Sequence, residues 1–178
     1  MKEDDLLHVL ALQKVEGVGD VMAKKLIAHC GSAEEVFKTP KNKLSSINQI
    51  SSIIIKNLAD KSVFEKAEKE LQYIQNHQIQ TMYFQDDNYP MRLKHCYDGP
   101  VLLFGAGNID LENPRIISIV GTRQITSHGT EFCRKLISDL APLNPIIVRG
   151  FAYGVDIVAH QAALDIGLQT LAVVAHGM

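Results

Sequence analysis

The sequence lacks the features that mark membrane-spanning, secreted and zinc-binding proteins. It contains no run of eighteen apolar residues, so no transmembrane helix is predicted. Its acidic start has no basic-then-apolar pattern of a signal peptide. The three cysteines, Cys30, Cys96 and Cys133, lie far apart without a CxxC pair, which argues against a disulfide framework or a zinc site. These absences predict a cytoplasmic protein with no membrane insertion and no bound metal or cofactor.

A strong net charge is also absent. The 178 residues carry a formal charge of -2, which argues against a generally basic DNA-coating protein. Positive charge is nevertheless unevenly distributed, because residues 1–75 contain eleven lysines and no arginine. The five arginines all come later, at Arg92, Arg115, Arg123, Arg134 and Arg149. A guanidinium group offers a planar fork suited to phosphate, so any nucleic-acid contact is expected from a local patch.

Two strand–glycine–helix units follow one another in the second half of the chain. The first is the β-branched run 116–120, followed by Gly121, Thr122 and Arg123, and the second is 145–156, which contains Arg149. Such units build a parallel α/β sheet, and their loops meet helix N-termini that attract anions. The pattern predicts a site for a phosphate-bearing ligand at these two loops.

Signals for catalysis in this region are weak. Gly-Thr-Arg after Val120 is not the GxGxxG pattern of dinucleotide-binding proteins. Asp156 and His160 lie four residues apart and share a helix face, which leaves open an acid–base pair or two metal ligands. The favoured interpretation is an aspartate that stabilises the helix N-terminus. His176, at a strand end, is a further candidate pocket residue.

The first seventy-five residues contain an internal repeat with an offset of 32. Leu12–Leu26 aligns with Leu44–Leu58, so that apolar positions coincide while Gly17 falls on Gln49. The pattern predicts five helices, at roughly Asp4–Val15, Val21–Cys30, Ala33–Thr39, Ser51–Ala59 and Val63–Gln75. Ser32 and Glu35 have the spacing of a capping box at the third of these helices.

The first copy of this repeat resembles the helix-hairpin-helix motif of DNA-binding proteins. Gly17 and Gly19 permit a tight turn with bare backbone N–H groups, and Lys24 and Lys25 follow one turn later. Residues 1–75 also hold eleven acidic residues, which balance the lysines. The hairpin is therefore interpreted first as a packing device or partner contact, and second as a DNA contact.

Taken in order, the motifs resemble those of the DprA/Smf family (DNA-processing protein A), and the resemblance covers nearly the whole chain. Short strands predicted at Thr81–Phe84 and Val101–Phe104 lie among them. The motifs that carry the resemblance are the hairpin, Tyr89-Pro90, Asp98-Gly99-Pro100, Val120 to Arg123, Gly150 to Asp156 with Ala159-His160, and Thr170 to Val173.

The resemblance implies a cytoplasmic protein that binds single-stranded DNA and has no established catalytic activity. Such a protein protects incoming strands in natural transformation and recombination, loads the RecA recombinase and commonly forms a homodimer. It implies an N-terminal all-α helix-hairpin-helix (SAM-like) domain, 1–75, and a partial Rossmann-like domain, 76–178. The final strand ends at the chain terminus, where such a sheet usually continues, so a fragment of a longer protein is expected.

Residue by residue, the resemblance assigns DNA binding to the two glycine loops. Gly121, Thr122 and Arg123 match a Gly-Ser-Arg loop, and the segment from Gly150 through Gly154 to Asp156 matches the second loop. Arg149 and His128 depart from the usual serine and tyrosine, and Arg149 is expected either to add a phosphate contact or to spoil the pocket. The alternatives to DNA binding are a nucleotide-binding Rossmann-like enzyme and a protein-interaction scaffold.

Overall fold

The computed structural model describes residues 3–108 and 110–175, and His176 lies outside them. Contact density divides the chain into two compact units, Met1–Gly107 and Asn108–Met178. Within the described residues, no helix is long and apolar enough to cross a membrane. The elements of the first unit are α1 (Glu3–Gln13), α2 (Asp20–Cys30), α3 (Ala33–Lys38), α4 (Lys41–Ser45), α5 (Ser52–Asn57), α6 (Ser62–Asn76), β1 (Gln80–Tyr83), α7 (Met91–Lys94) and β2 (Leu102–Gly105).

The helices of the first unit follow the predicted pattern with two short additions, α4 and α7. Each of the five predicted helices is present within two residues of its expected bounds, and the short α4 was not predicted because five residues are too few to show a helical period. The Ser32 side chain accepts a hydrogen bond from the Glu35 amide at 3.1 Å, so the predicted N-cap of α3 is present. Local capping signals of this kind are readable because donor and acceptor lie three residues apart.

The two copies of the repeat share their backbone geometry, including the turn. Gly17 has φ +88° and its counterpart Gln49 has φ +68°, a conformation that costs a non-glycine residue free energy. The Val18 amide donates to the Val15 carbonyl oxygen at 3.0 Å, and Ile50 repeats that bond to Ile47 at 3.3 Å. The second copy has therefore lost its glycines without losing the hairpin.

The segment after residue 75 packs with the helices instead of starting a separate body. The antiparallel pair β1–β2 contributes Tyr83 and Leu102 to the same core as the helices, and Val101, just before β2, joins them. The Asp20 carboxylate accepts a hydrogen bond from the buried Val101 amide at 2.8 Å. The compact units divide after residue 107, and the domain boundary predicted after residue 75 stays a prediction.

The second unit is a three-stranded parallel sheet with helices between its strands. Its elements are β3 (Ile116–Ser118), α8 (Ser127–Leu140), the short 3-10 turn Ala141–Leu143, β4 (Ile146–Arg149), α9 (Val155–Asp165) and β5 (Thr170–Ala172). The strand order is β3-β4-β5, with Ile117 opposite Ile147 and Val148 opposite Leu171. This arrangement confirms the partial Rossmann-like fold, because β4 is the middle strand and both loops leave the carboxyl edge of the sheet.

Candidate nucleic-acid interface

Two loops lie side by side at the carboxyl edge of the parallel sheet. The first loop, residues 119–126, follows β3, and the second loop, residues 150–154, follows β4. Because β3 and β4 are adjacent and parallel, their carboxyl ends meet at the same edge. The sequence-based prediction of two neighbouring loops is therefore satisfied by the topology of the sheet.

Glycines allow these two loops to touch backbone to backbone. Gly154 has φ +81°, and a Cβ at that position would lie 2.6 Å from the carbonyl carbon of Arg123. The Val155 amide donates to the Thr122 carbonyl oxygen at 3.1 Å. A Cβ at Gly121 would in turn lie 2.8 Å from Cβ of Val155. Close approach, and not only turn geometry, explains why both loops carry glycine.

Arg123 lies at the junction of the two loops with its side chain exposed. It makes no ion pair or side-chain hydrogen bond with any residue that the structure describes. The hydroxyl groups of two nearby threonines accept hydrogen bonds from backbone amides of the same segment. Thr122 accepts from the Gln124 amide at 3.1 Å, and Thr126 caps α8 by accepting from the Gly129 amide at 3.1 Å. An arginine in this state has all its donors available for an anion.

Arg149 occupies a different environment, although it ends the strand before the second loop. Arg149 is only 8% exposed, and its guanidinium group forms an ion pair with Asp156 in the first turn of α9. Its Nε is buried without a hydrogen-bond partner. The side chain lies inside the unit and joins β4 to α9, so of the two outcomes expected for Arg149, the structure does not favour a direct phosphate contact.

Asp156 and His160 face different partners, which answers the question their spacing raised. Asp156 pairs with Arg149, and His160 places Nε2 2.9 Å from the Gly150 carbonyl oxygen and Nδ1 2.6 Å from Oγ1 of Thr170. Because a carbonyl oxygen only accepts, Nε2 carries a hydrogen. Both side chains brace the second loop from beneath, and within the described residues no three His, Cys, Asp or Glu side chains form a metal-binding group.

Two features of the interface were not singled out from the sequence. The second loop exposes the rings of Phe151 and Tyr153, which follow each other within Gly-Phe-Ala-Tyr-Gly. An open cleft of about 370 Å³ lies between the first loop and α8, and its apolar lining includes Ile119, Phe132 and Leu136. Glycines flanking aromatic residues in a predicted loop are the sequence signal that would have drawn attention to the rings.

The hairpin residues proposed as a second DNA contact lie in the first unit and have internal neighbours. A Cβ on Gly17 would approach Cγ1 of Ile54 at 3.2 Å, whereas Gly19 has open space around it and begins α2 as its N-cap. Lys24 places Nζ 5.5 Å from the centre of the Phe84 ring. Lys25 donates to the side-chain oxygen of Gln49 at 3.1 Å. Both lysines are thus engaged within their own unit.

Comparison with known proteins identifies a consistent set of relatives. The family model of DNA recombination-mediator protein A matches residues 80–178. DNA processing protein DprA of Streptococcus pneumoniae is 42% identical over 93 residues, which cover 52% of this chain and 33% of that protein. DprA of Bacillus subtilis is 31% identical over 131 residues, covering 73% of this chain and 44% of the relative. Protein Smf of Synechocystis is 28% identical over 185 residues, covering 100% and 46%.

A solved structure supports the same fold. The X-ray structure of DNA processing protein A from Streptococcus pneumoniae superposes with a TM-score of 0.64 at 24% identity, over 99% of this chain and 59% of the other. This chain spans less than half the length of each of the three curated relatives described above.

Proposed function

This chain belongs to the DNA recombination-mediator protein A family, and from that premise we propose that it binds single-stranded DNA at the two loops of its second unit. The proposed role is DNA processing in natural transformation and recombination, in which the protein protects incoming strands. RecA recombinase and a second copy of the chain are its proposed protein partners, and the cytoplasm is its proposed location.

The observation that carries this proposal is the state of Arg123. It is an exposed cation with no partner among the described residues, held on a loop whose backbone is locked by Gly154. Arginines are mostly exposed on protein surfaces, and Arg123 differs from an ordinary one because two glycine loops hold its backbone at the carboxyl edge of the sheet. A charge that is fixed at its backbone and free at its side chain suits an external anion such as a phosphodiester.

The geometry suggests how a strand would be held. Its phosphates would contact Arg123 and amides of the loops at Gly121 and Gly150, near the capped N-terminus of α8. Contacts to phosphate and sugar fix position without reading sequence, so little base preference is expected. The proposal requires no bond making or breaking, and the protein is accordingly proposed to act by binding and not as an enzyme.

Fluorescence anisotropy with labelled oligo-dT and a matching duplex tests the proposal over a range of salt concentrations. The Arg123→Ala variant is expected to lose about 10-fold or more in affinity, since a hydrogen bond to a charged group contributes roughly 1.5–3 kcal/mol. Its log-log salt slope should fall by about 0.7, the value for one phosphate contact on a single strand. Arg134→Ala is the matched control, because it removes an exposed positive charge from α8 in the same unit.

Three outcomes would contradict or redirect the proposal. Equal losses for Arg123→Ala and Arg134→Ala would indicate general electrostatic attraction and no site at the loops. Failure of the chain to bind any oligonucleotide, together with binding of a free nucleotide, would favour the nucleotide-binding enzyme. Failure with both, together with RecA binding that Arg123→Ala leaves unchanged, would favour the interaction scaffold.

A further inference from the structure

The second loop presents two large aromatic side chains to solvent. Phe151 is 71% exposed and Tyr153 is 84% exposed. Aromatic rings are normally buried because each removes a large apolar area from water, so two exposed rings separated by one residue need a reason. They stand between Gly150 and Gly154, in a loop of small and aromatic residues.

A ring contact of Phe151 and a backbone contact of Gly154 position the second loop. The Phe151 ring lies 5.9 Å from the His160 ring at an angle of 54°, and His160 is anchored to Gly150 and Thr170 by its ring nitrogens. Tyr153 directly precedes Gly154, whose backbone meets the Thr122–Arg123 peptide. The loop therefore places the backbone of the aromatic pair beside the backbone of Arg123.

This combination differs from the exposed apolar residues on the helices of the unit. Phe132 and Leu164 are 64% and 60% exposed, but they lie along α8 and α9. A cation with no internal partner beside exposed π-faces fits a ligand that supplies both an anion and a flat ring. An unpaired nucleotide in a single strand has that chemistry, whereas bases in a duplex are stacked on each other and present only their edges.

We propose that Phe151 and Tyr153 form a base-stacking platform that binds the unpaired bases of a single strand whose phosphates contact Arg123. The inference rests on the proposed function and adds recognition of the bases, which phosphate contacts do not provide. Stacking accepts every base, so the platform gives preference for single strands over duplex without sequence preference.

The absence of tryptophan from the sequence permits a direct test. Tyr153→Trp introduces a unique tryptophan at the platform, and its fluorescence is followed during titration with oligo-dT and with an abasic strand of the same number of phosphates. Quenching by oligo-dT but not by the abasic strand is the expected result. Equal quenching by the two strands would overturn the proposal, because both offer the same phosphates.

Affinity measurements provide the second arm. The unsubstituted chain should bind oligo-dT more tightly than the abasic strand, and Phe151→Ala with Tyr153→Ala should remove that difference at a cost of about 5- to 100-fold in oligo-dT affinity. The salt slope should stay unchanged, since no charge is removed. Leu164→Ala, at the exposed C-terminal end of α9, is the matched control and should retain the discrimination.

Two results would contradict the stacking platform and are distinguishable from failure of the proposed function. Salt-sensitive binding with identical affinity for both strands would leave the phosphate site in place and remove the platform. A change in oligomeric state for the Phe151/Tyr153 double variant, with discrimination intact, would assign the rings to contact with a second copy. Absence of binding to either strand would refute the proposed function first, and the platform with it.

Discussion

Both units contain a glycine turn beside positively charged side chains, but they use the charge in opposite ways. In the first unit, Lys24 lies over the Phe84 ring and Lys25 contacts Gln49, so the cations are engaged by the fold. In the second unit, Arg123 has no partner within the described residues, and Gly154 holds its backbone in place. The two sites look alike in sequence, but the lysines of the first have partners within the fold and the arginine of the second has none among the described residues.

The comparison shows that a glycine turn near a cation is a weak indicator of nucleic-acid binding by itself. The hairpin glycine Gly17 faces Ile54 of the second repeat copy, and Asn57 of that copy donates to the Glu16 carbonyl oxygen at 3.0 Å. These contacts use the turn to pack one copy against the other. The hairpin geometry thus favours the packing interpretation, while its role in binding DNA stays a prediction.

The largest expected effect comes from breaking the buried ion pair of the second unit. Asp156→Asn would leave the buried guanidinium of Arg149 without its counter-charge, at a cost of about 3–5 kcal/mol in the free energy of unfolding. Urea unfolding followed by circular dichroism measures this. Replacing both residues by apolar ones, Arg149→Met with Asp156→Leu, should recover much of the loss.

The half-exposed pair Lys14–Glu70 of the first unit is the matched comparison for that prediction. Glu70→Gln should cost less than about 1 kcal/mol, because exposed ion pairs are screened by solvent. If Asp156→Asn were as mild as Glu70→Gln, the Arg149 side chain would have to reach solvent, and its assignment as an internal brace would be wrong.

The next effect concerns the contact between the two loops. Gly154→Ala would combine a positive φ with a Cβ placed against the Arg123 backbone, and is expected to cost about 2–4 kcal/mol. Gly167→Ala shares the positive φ, at +77°, but has open space around it, so it should cost only about 1–2 kcal/mol. Thermal unfolding of both variants measures the difference, and equal destabilisation would show that the loops do not need close approach.

The third prediction compares the cations of the two units in oligo-dT binding. Lys24→Ala and Lys25→Ala should change the affinity by less than about 2-fold, because both lysines contact side chains of their own unit. Arg123→Ala should exceed them by a factor of about 5 or more if it makes a charged contact with phosphate. A lysine variant that matched Arg123→Ala, in both affinity and salt slope, would move the DNA site to the hairpin.

The smallest expected effect lies in the second repeat copy. Gln49 holds φ +68° without being glycine, so Gln49→Gly should relieve backbone strain and stabilise the protein by about 0.5–1 kcal/mol, net of the entropy that glycine gains on unfolding. Gly17→Ala, at the equivalent position, should destabilise it. Urea midpoints for the two variants give the signs, and destabilisation by Gln49→Gly would mean that its contact with Lys25 outweighs the strain.

Much of the fold was predictable because its signals are local. Helix periods, the Ser32 cap and the β-branched runs before Gly121 and Gly150 each span only a few residues, and the structure confirms them. The strand β3 ends at Ser118, two residues before the apolar run does, since pairing with β4 and not composition decides where a strand stops. The hairpin β1–β2 was predicted as strands, but its place in the first core was not.

The sequence by itself determined which segments become helices, which become strands, and where glycine is required for a turn, because backbone preferences act over a few residues. Only the tertiary structure decided which charges are free. Arg149 ends β4 and Arg123 lies in the loop after β3, yet the first is paired with Asp156 and the second is exposed. That difference depends on which side chains the packing of β4 and α9 brings together. A buried charge without a partner is costly, so the buried Arg149 needs Asp156, whereas the exposed Arg123 needs no internal partner.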